Sequence, residues 1–380
     1  TSYQISNMYK IGFDAKRLFH NGTGLGNYSR RLVRSLKEFY PDNSYVLFSP
    51  SVTYNDESFY FTQEFETVTP GLFSSKAFWR TRNILLSLIE NDIDIYHGLS
   101  HELPIGIEET QIKSVVTIHD LIYKLFPSNF PLIDKKIYDI KWKNACTNAN
   151  AIIATSEATK QDIIANFNID PKKIHVVYQT CSDIFDQRYT DKEKADILEN
   201  LSLPQSFILY VGAIMERKNV MSIVEAYNKI RDKIDIPLVI VGNGRNYYKK
   251  ILAYVEQNNL KDKIIFRTNV GNDELPVLYQ CAECFLYPSK YEGFGIPILE
   301  AFKSGTPVII SNTSSLPEVG GTAGYYVDPY KIESIAQAML DLHENPNLRQ
   351  NLINSGYEQI KNFTPESFAK KTMDVYESLF

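Results

Sequence analysis

Short runs of β-branched and aromatic residues alternate with longer helical patterns along almost the whole chain. This rhythm restricts the fold to parallel sheets covered by helices. In the first half the pattern predicts strands near 10–14, 45–49, 93–97, 114–119, 151–156 and 174–178, with helices over 27–39, 76–90, 132–149 and 158–166. A polar stretch, 183–204, then interrupts the alternation, with a helical pattern over 192–200. The rhythm restarts with strands predicted at 207–212, 238–242, 264–267, 284–287 and 308–311, and helices over 220–233, 246–258, 274–282, 297–304 and 332–343. The expected fold class is therefore α/β, with two doubly wound Rossmann-like domains facing a central cleft. The expected boundaries are 8–190, 206–363, and a final segment 364–380 returning to the first domain as a helix. Thr364-Pro365 is a good start for that helix, with Pro at its first position.

Composition removes several classes of function. The 380 residues hold 40 Lys plus Arg against 45 Asp plus Glu, a formal net charge of −5. Residues 1–200 carry 22 basic and 25 acidic side chains, so neither half is the basic domain that neutralising nucleic-acid phosphates requires. No apolar run approaches the roughly 18 residues of a spanning helix. Four cysteines do not make a disulfide scaffold, and Cys281-x-x-Cys284 lacks the second pair of a zinc set. Met8 reads as the native start, and with no basic-then-apolar leader after it a cytoplasmic location is expected.

Four constellations follow predicted strands, where α/β sheets bind ligands. Gly22-Thr23-Gly24-Leu25-Gly26-Asn27 opens a helix, so its backbone can approach an anion. Asn27 replaces the third glycine of the dinucleotide fingerprint, which disfavours an NAD enzyme. Arg217-Lys218-Asn219 places two adjacent cations after a strand and before a helix, a set suited to a diphosphate. Glu292-Gly293-Phe294-Gly295-Ile296-Pro297-Ile298-Leu299-Glu300 combines a glycine loop, a helix start and two carboxylates able to accept sugar hydroxyls. His119-Asp120 closes an apolar strand at the edge where the first sheet would meet ligand.

Taken in order, the Gly-rich turn, His-Asp, Arg-Lys-Asn and Glu-x7-Glu with its internal Gly-Phe-Gly resemble the retaining GT-B glycosyltransferases of family 4. Details such as His119-Asp120-Leu121 and Glu216-Arg217-Lys218-Asn219 are similar to the mannosyltransferase branch that uses GDP-mannose. The resemblance implies transfer of a hexose from a nucleotide diphosphate sugar, GDP- favoured over UDP-, to a glycan or lipid-linked glycan in polysaccharide biosynthesis. It implies no cofactor and no metal. By the same resemblance His119, Arg217, Lys218 and Glu292 are the catalytic group. Gly24 and Gly26 should close over phosphate, Gly293, Phe294, Gly295 and Ile296 should meet phosphate and sugar, and Glu300 should hold the ribose. One departure is Ala213-Ile214 after Gly212, where many members have Gly-Arg. The alternatives are another GT-B enzyme, a phosphorylase or epimerase, or a non-catalytic nucleotide-sugar binder. Two basic-aromatic faces, one over 27–39 with Arg30, Arg31, Arg34 and Lys37 and one with Lys76, Trp79, Arg80 and Arg82, suit either a solvated surface or peripheral contact with anionic lipid on the inner membrane face.

Overall fold

The computed structural model describes residues 8–54, 56–71 and 75–380. The expectation about a start at Met8 concerns residues 1–7, which lie outside them. The chain divides into two compact units, one comprising 1–179 with 365–380, the other 180–364.

The first unit holds seven strands: β1 (Lys10–Asp14), β2 (Ser44–Phe48), β3 (Glu66–Val68), β4 (Ile95–Gly98), β5 (Lys113–Ile118), β6 (Ala151–Ala154) and β7 (Ile174–Val176). They pair in parallel in the order β3-β2-β1-β4-β5-β6-β7. Central strands are buried on both faces, which is why β6 reads as a continuous apolar run. The helix Pro365–Glu377 belongs to this unit, and its Phe368, Met373 and Tyr376 join Tyr28, Leu32 and Leu36 in one core. Phe368 meets Tyr28 edge-on at 5.5 Å, and the Tyr376 hydroxyl lies 2.6 Å from Nδ1 of buried His97.

The second unit holds β8 (Phe207–Val211), β9 (Leu238–Val241), β10 (Ile264–Arg267), β11 (Ala282–Tyr287), β12 (Val308–Ser311) and β13 (Gly324–Val327). All pair in parallel in the order β10-β9-β8-β11-β12-β13. The polar segment after residue 180 packs with this unit rather than ending the first one at 190. Lys303 Nζ lies 2.7 Å from Asp183 and 2.6 Å from Asp186, and Phe185 sits edge-on to Tyr279. A Thr190–Glu193 capping box starts the next helix, Asp191–Asn200.

One predicted helix is interrupted. The pattern over 76–90 resolves into Lys76–Phe78, a π-helical turn Trp79–Asn83, and Ile84–Glu90. Trp79 is buried, and Arg80 binds the Asp14 carboxylate at the end of β1 and Glu102 at 2.8 Å.

Candidate active site

In the second unit the chain emerging from β8 makes a short 3-10 turn, Glu216–Lys218. Asn219 then adopts a left-handed conformation (φ 62°), which Asn is one of the few residues to tolerate. Its buried amide donates to the carbonyls of Pro288 (3.1 Å) and Pro329 (2.7 Å). This ties the loop after β8 to those after β11 and β13. Lys290 N–H donates to the Arg217 carbonyl at 2.8 Å, and Ser315 Oγ donates to the carbonyls of Glu292 and Phe294. The loops at the carboxyl ends of these strands are therefore stitched into one surface.

On that surface Glu292 lies between the two cations. Its Oε2 is 3.0 Å from Arg217 and its Oε1 is 2.6 Å from Lys218, with all three side chains at most 13% exposed. Arg217 also donates to the Tyr291 carbonyl, and Lys218 to the Tyr287 hydroxyl. Burial alone would raise the Glu292 pKa, but Lys218 and then Arg217 overcome it and hold the carboxyl at about 2. The cluster thus carries one surplus positive charge at neutral pH. Glu292 Oε1 is fully buried beside Lys218.

The helix Ile296–Ser304 begins next to this cluster in sequence. Gly295 precedes it at φ 121°, where a Cβ would come within 2.9 Å of Leu316 Cδ2. Phe294 is buried against Phe363, at 5.9 Å between ring centroids. Gly293 is buried, Ile296 is partly exposed as the first helical residue, and Pro297 stands in the first turn. Glu300, one turn in, is partly buried and accepts from the Tyr279 hydroxyl at 3.2 Å. Arg217, Lys218 and Glu292 are brought into direct contact, and Glu300 has a separate partner.

The remaining candidates lie in the first unit. His119 follows β5, buried, with Nε2–H donating to the Leu99 carbonyl at 2.9 Å and its ring edge-on to Tyr28 at 4.5 Å. Burial lowers its pKa to about 4; the Leu99 bond opposes this and Arg17 assists it. The imidazole is neutral at pH 7, and because Nε2 carries the proton, Nδ1 is the acceptor. Gly24 is exposed at the start of the helix Gly24–Phe39. Gly26 serves the backbone: a Cβ there would fall 1.7 Å from the Asn21 carbonyl oxygen. The Asn21 side chain accepts from the Gly26 amide (3.1 Å) and the Thr23 amide (2.9 Å), capping the turn from within.

The two basic-aromatic faces read from the sequence are internal only in part: Arg31 and Lys37 are partly exposed, and Arg34, Lys76 and Arg82 are exposed. Arg30 is buried and donates to the carbonyls of Leu18 and Asn21, and Arg34 stacks over Tyr60. Arg80 is committed to Asp14 and Glu102, and Trp79 is in the core. The Asp14–Arg80 pair itself escaped the sequence reading. A charged residue closing the buried run Lys10–Asp14 was its only local signal, and the partner lies far along the chain.

Two parallel-sheet, Rossmann-like units with a cation-carboxylate cluster on the strand-end loops of the second define a GT-B glycosyltransferase. Two family models agree, one described as Glycosyltransferase Family 4 over residues 22–180 and one as Glycosyl transferases group 1 over residues 191–359. The chain belongs to the family 4 glycosyltransferases. It is 28% identical to O-antigen chain mannosyltransferase B of Escherichia coli, over 97% of this chain and 100% of the relative. Among solved structures it is similar to a glycosyltransferase from Rickettsia africae ESF-5, with a TM-score of 0.76, 17% identity, and coverage of 98% of this chain and 99% of that one. The Anabaena protein Alr3699/HepE in complex with UDP and glucose superposes equally well, with a TM-score of 0.76, 14% identity, and coverage of 98% and 100%.

Proposed function

We propose that the protein is a retaining, metal-independent mannosyltransferase that takes GDP-mannose and extends a glycan or lipid-linked glycan at the cytoplasmic side during surface polysaccharide synthesis. The observation that carries this reading is the Arg217–Glu292–Lys218 cluster, two buried cations sharing one carboxylate on a strand-end loop surface. The O-antigen mannosyltransferase relative supports the sugar and the kind of acceptor. The complex of Alr3699/HepE with UDP and glucose supports a nucleotide-linked donor.

In this reading the glycosidic bond to the diphosphate breaks and negative charge develops on the departing phosphate oxygen. Arg217 and Lys218 stabilise that charge as it forms, which lowers the barrier more than it tightens ground-state binding. Glu292 keeps the cations in place before donor arrives, and accepts from hydroxyls of the transferred sugar once phosphate shares them. Glu300 accepts from the ribose hydroxyls. The acceptor oxygen attacks on the face the diphosphate leaves and passes its proton to that phosphate, so configuration is retained and no carboxylate nucleophile is needed. In the first unit, neutral His119 offers an accepting Nδ1 to a hydroxyl donor.

The test is a turnover screen of GDP-mannose, UDP-glucose and ADP-glucose with a membrane glycolipid extract as acceptor. Nucleotide release and a retained anomeric proton signal from GDP-mannose are expected. Turnover of UDP-glucose alone, or an inverted product, contradicts the proposal. Donor binding without any release points to a non-catalytic binder.

A further inference from the structure

The helix Leu132–Asn148 of the first unit has apolar residues on both of its faces. Inward, Trp142 stacks on His101 at 3.9 Å and meets Tyr123 edge-on, and Ala145 and Cys146 are buried. Outward, Ile133, Ile137 and Ile140 recur at the spacing that shares one helix face. They are 73%, 43% and 71% exposed, and Leu132 beside them is 74% exposed. A water-facing helix ordinarily places polar residues there, and a contiguous apolar stripe marks a surface that is covered in use. Leu125, 40% exposed on the preceding short helix, extends the apolar area, and an open hollow of about 550 Å³ lies between the two helices.

The charge on this stripe says what covers it. The helix carries Lys135, Lys136, Lys141 and Lys143 against Asp134 and Asp139; Asp139 is taken by Lys124 at 2.5 Å and Lys141 by Glu102 at 3.1 Å, which leaves Lys136 and Lys143 as the outward cations. Lys136 and Lys143 are exposed, and their spacing from Ile140 places them on the same face as the isoleucines. Long lysine stems beside an apolar stripe can lie along the boundary of a bilayer with their ammonium groups at the phosphates. A second copy of the chain fits less well, because a two-fold contact sets this stripe against itself and lysines against lysines. On the helices that the sequence marked as basic-aromatic, Arg30, Trp79 and Arg80 are spent inside the fold, while Arg34, Lys76 and Arg82 stay exposed.

We infer that the outward face of Leu132–Asn148 is a docking surface for an anionic phospholipid bilayer, with Leu132, Ile133, Ile137 and Ile140 entering the interface and Lys136 and Lys143 meeting headgroup phosphates. The inference uses exposure and charge alone, so a failed donor assay leaves it standing. The test is flotation of the full chain with phosphatidylcholine vesicles containing or lacking phosphatidylglycerol. The wild type should float only with phosphatidylglycerol, and less at high salt. Lys136→Glu with Lys143→Glu should weaken recovery by about tenfold or more. Ile133→Ser with Ile137→Ser and Ile140→Ser should do the same while the melting temperature is kept, and Ile137→Leu with Ile140→Leu should float as wild type. A wild type that stays unbound with phosphatidylglycerol overturns the inference. So does undiminished flotation of both disrupted variants, or a self-association that the serine variant abolishes in a protein that never floats.

Discussion

Replacing Glu292 with Gln removes the negative charge held between Arg217 and Lys218 and keeps the side chain's shape. The folded protein lowers this carboxyl from 4.5 to about 2. At about 1.4 kcal/mol per pH unit, that difference is worth on the order of 3 kcal/mol of stability at neutral pH. The figure agrees with the roughly 3–5 kcal/mol lost when a buried ion pair is deprived of one member. Because the folded state depresses the pKa, the stabilisation is complete above pH 4.5 and fades as the pH falls toward 2. Calorimetry of the full chain at pH 7 should therefore show the transition of the second unit, residues 180–364, roughly 6–12 °C below wild type. By pH 3 the gap should shrink to less than about half. Pyrophosphate should recover part of the loss at pH 7, since its oxygens supply the missing counter-charge. Equal melting at pH 7, or a gap that persists unchanged into acid, refutes the claim that Glu292 neutralises these cations.

Lys218→Ala leaves Glu292 paired with Arg217, so the fold should persist while kcat falls by about 100-fold or more with a smaller change in donor KM; an unchanged kcat removes Lys218 from the leaving-group role. Tyr376→Phe strips the hydroxyl that faces buried His97 and should cost about 1–3 kcal/mol in urea unfolding, whereas no loss means the C-terminal helix is held by packing alone. Gly26→Ala must displace the Asn21 carbonyl and should destabilise by about 1–3 kcal/mol. Gly24→Ala meets nothing within 4 Å and should stay within about 0.5 kcal/mol of wild type. Equal effects at the two glycines contradict the backbone explanation for Gly26.

The parallel architecture was legible because buried strands carry long apolar runs whatever they pack against. Ile264–Arg267 and Val308–Ser311 fall where the pattern placed them. The edge strands β3 and β13 were not read, because Glu66–Val68 spans three residues and Gly324–Val327 begins with glycine, too little pattern to register. The helix Pro346–Gln359 also escaped, with only Gly356 among its residues fully buried. At the site, motif order singled out Arg217, Lys218 and Glu292, but not that they form one ion cluster, since the contact joins loops after β8 and β11. The basic faces are legible only in part, for the reverse reason. Sequence spacing shows that Arg30 and Arg80 are cations, and only tertiary structure shows the carbonyls of Leu18 and Asn21 and the carboxylates of Asp14 and Glu102 waiting for them. The outward isoleucines of Leu132–Asn148 were hidden likewise, because an apolar residue carries no mark of the side it faces.

Isothermal titration of GDP-mannose onto the wild type and onto an Arg217→Ala, Lys218→Ala double variant shows whether these two cations hold the diphosphate. Binding to the wild type should be saturable, and weakened by about 100-fold or more in the variant, since two charge-assisted contacts to the diphosphate are lost. Equal affinity in the two proteins would show that the diphosphate is held elsewhere.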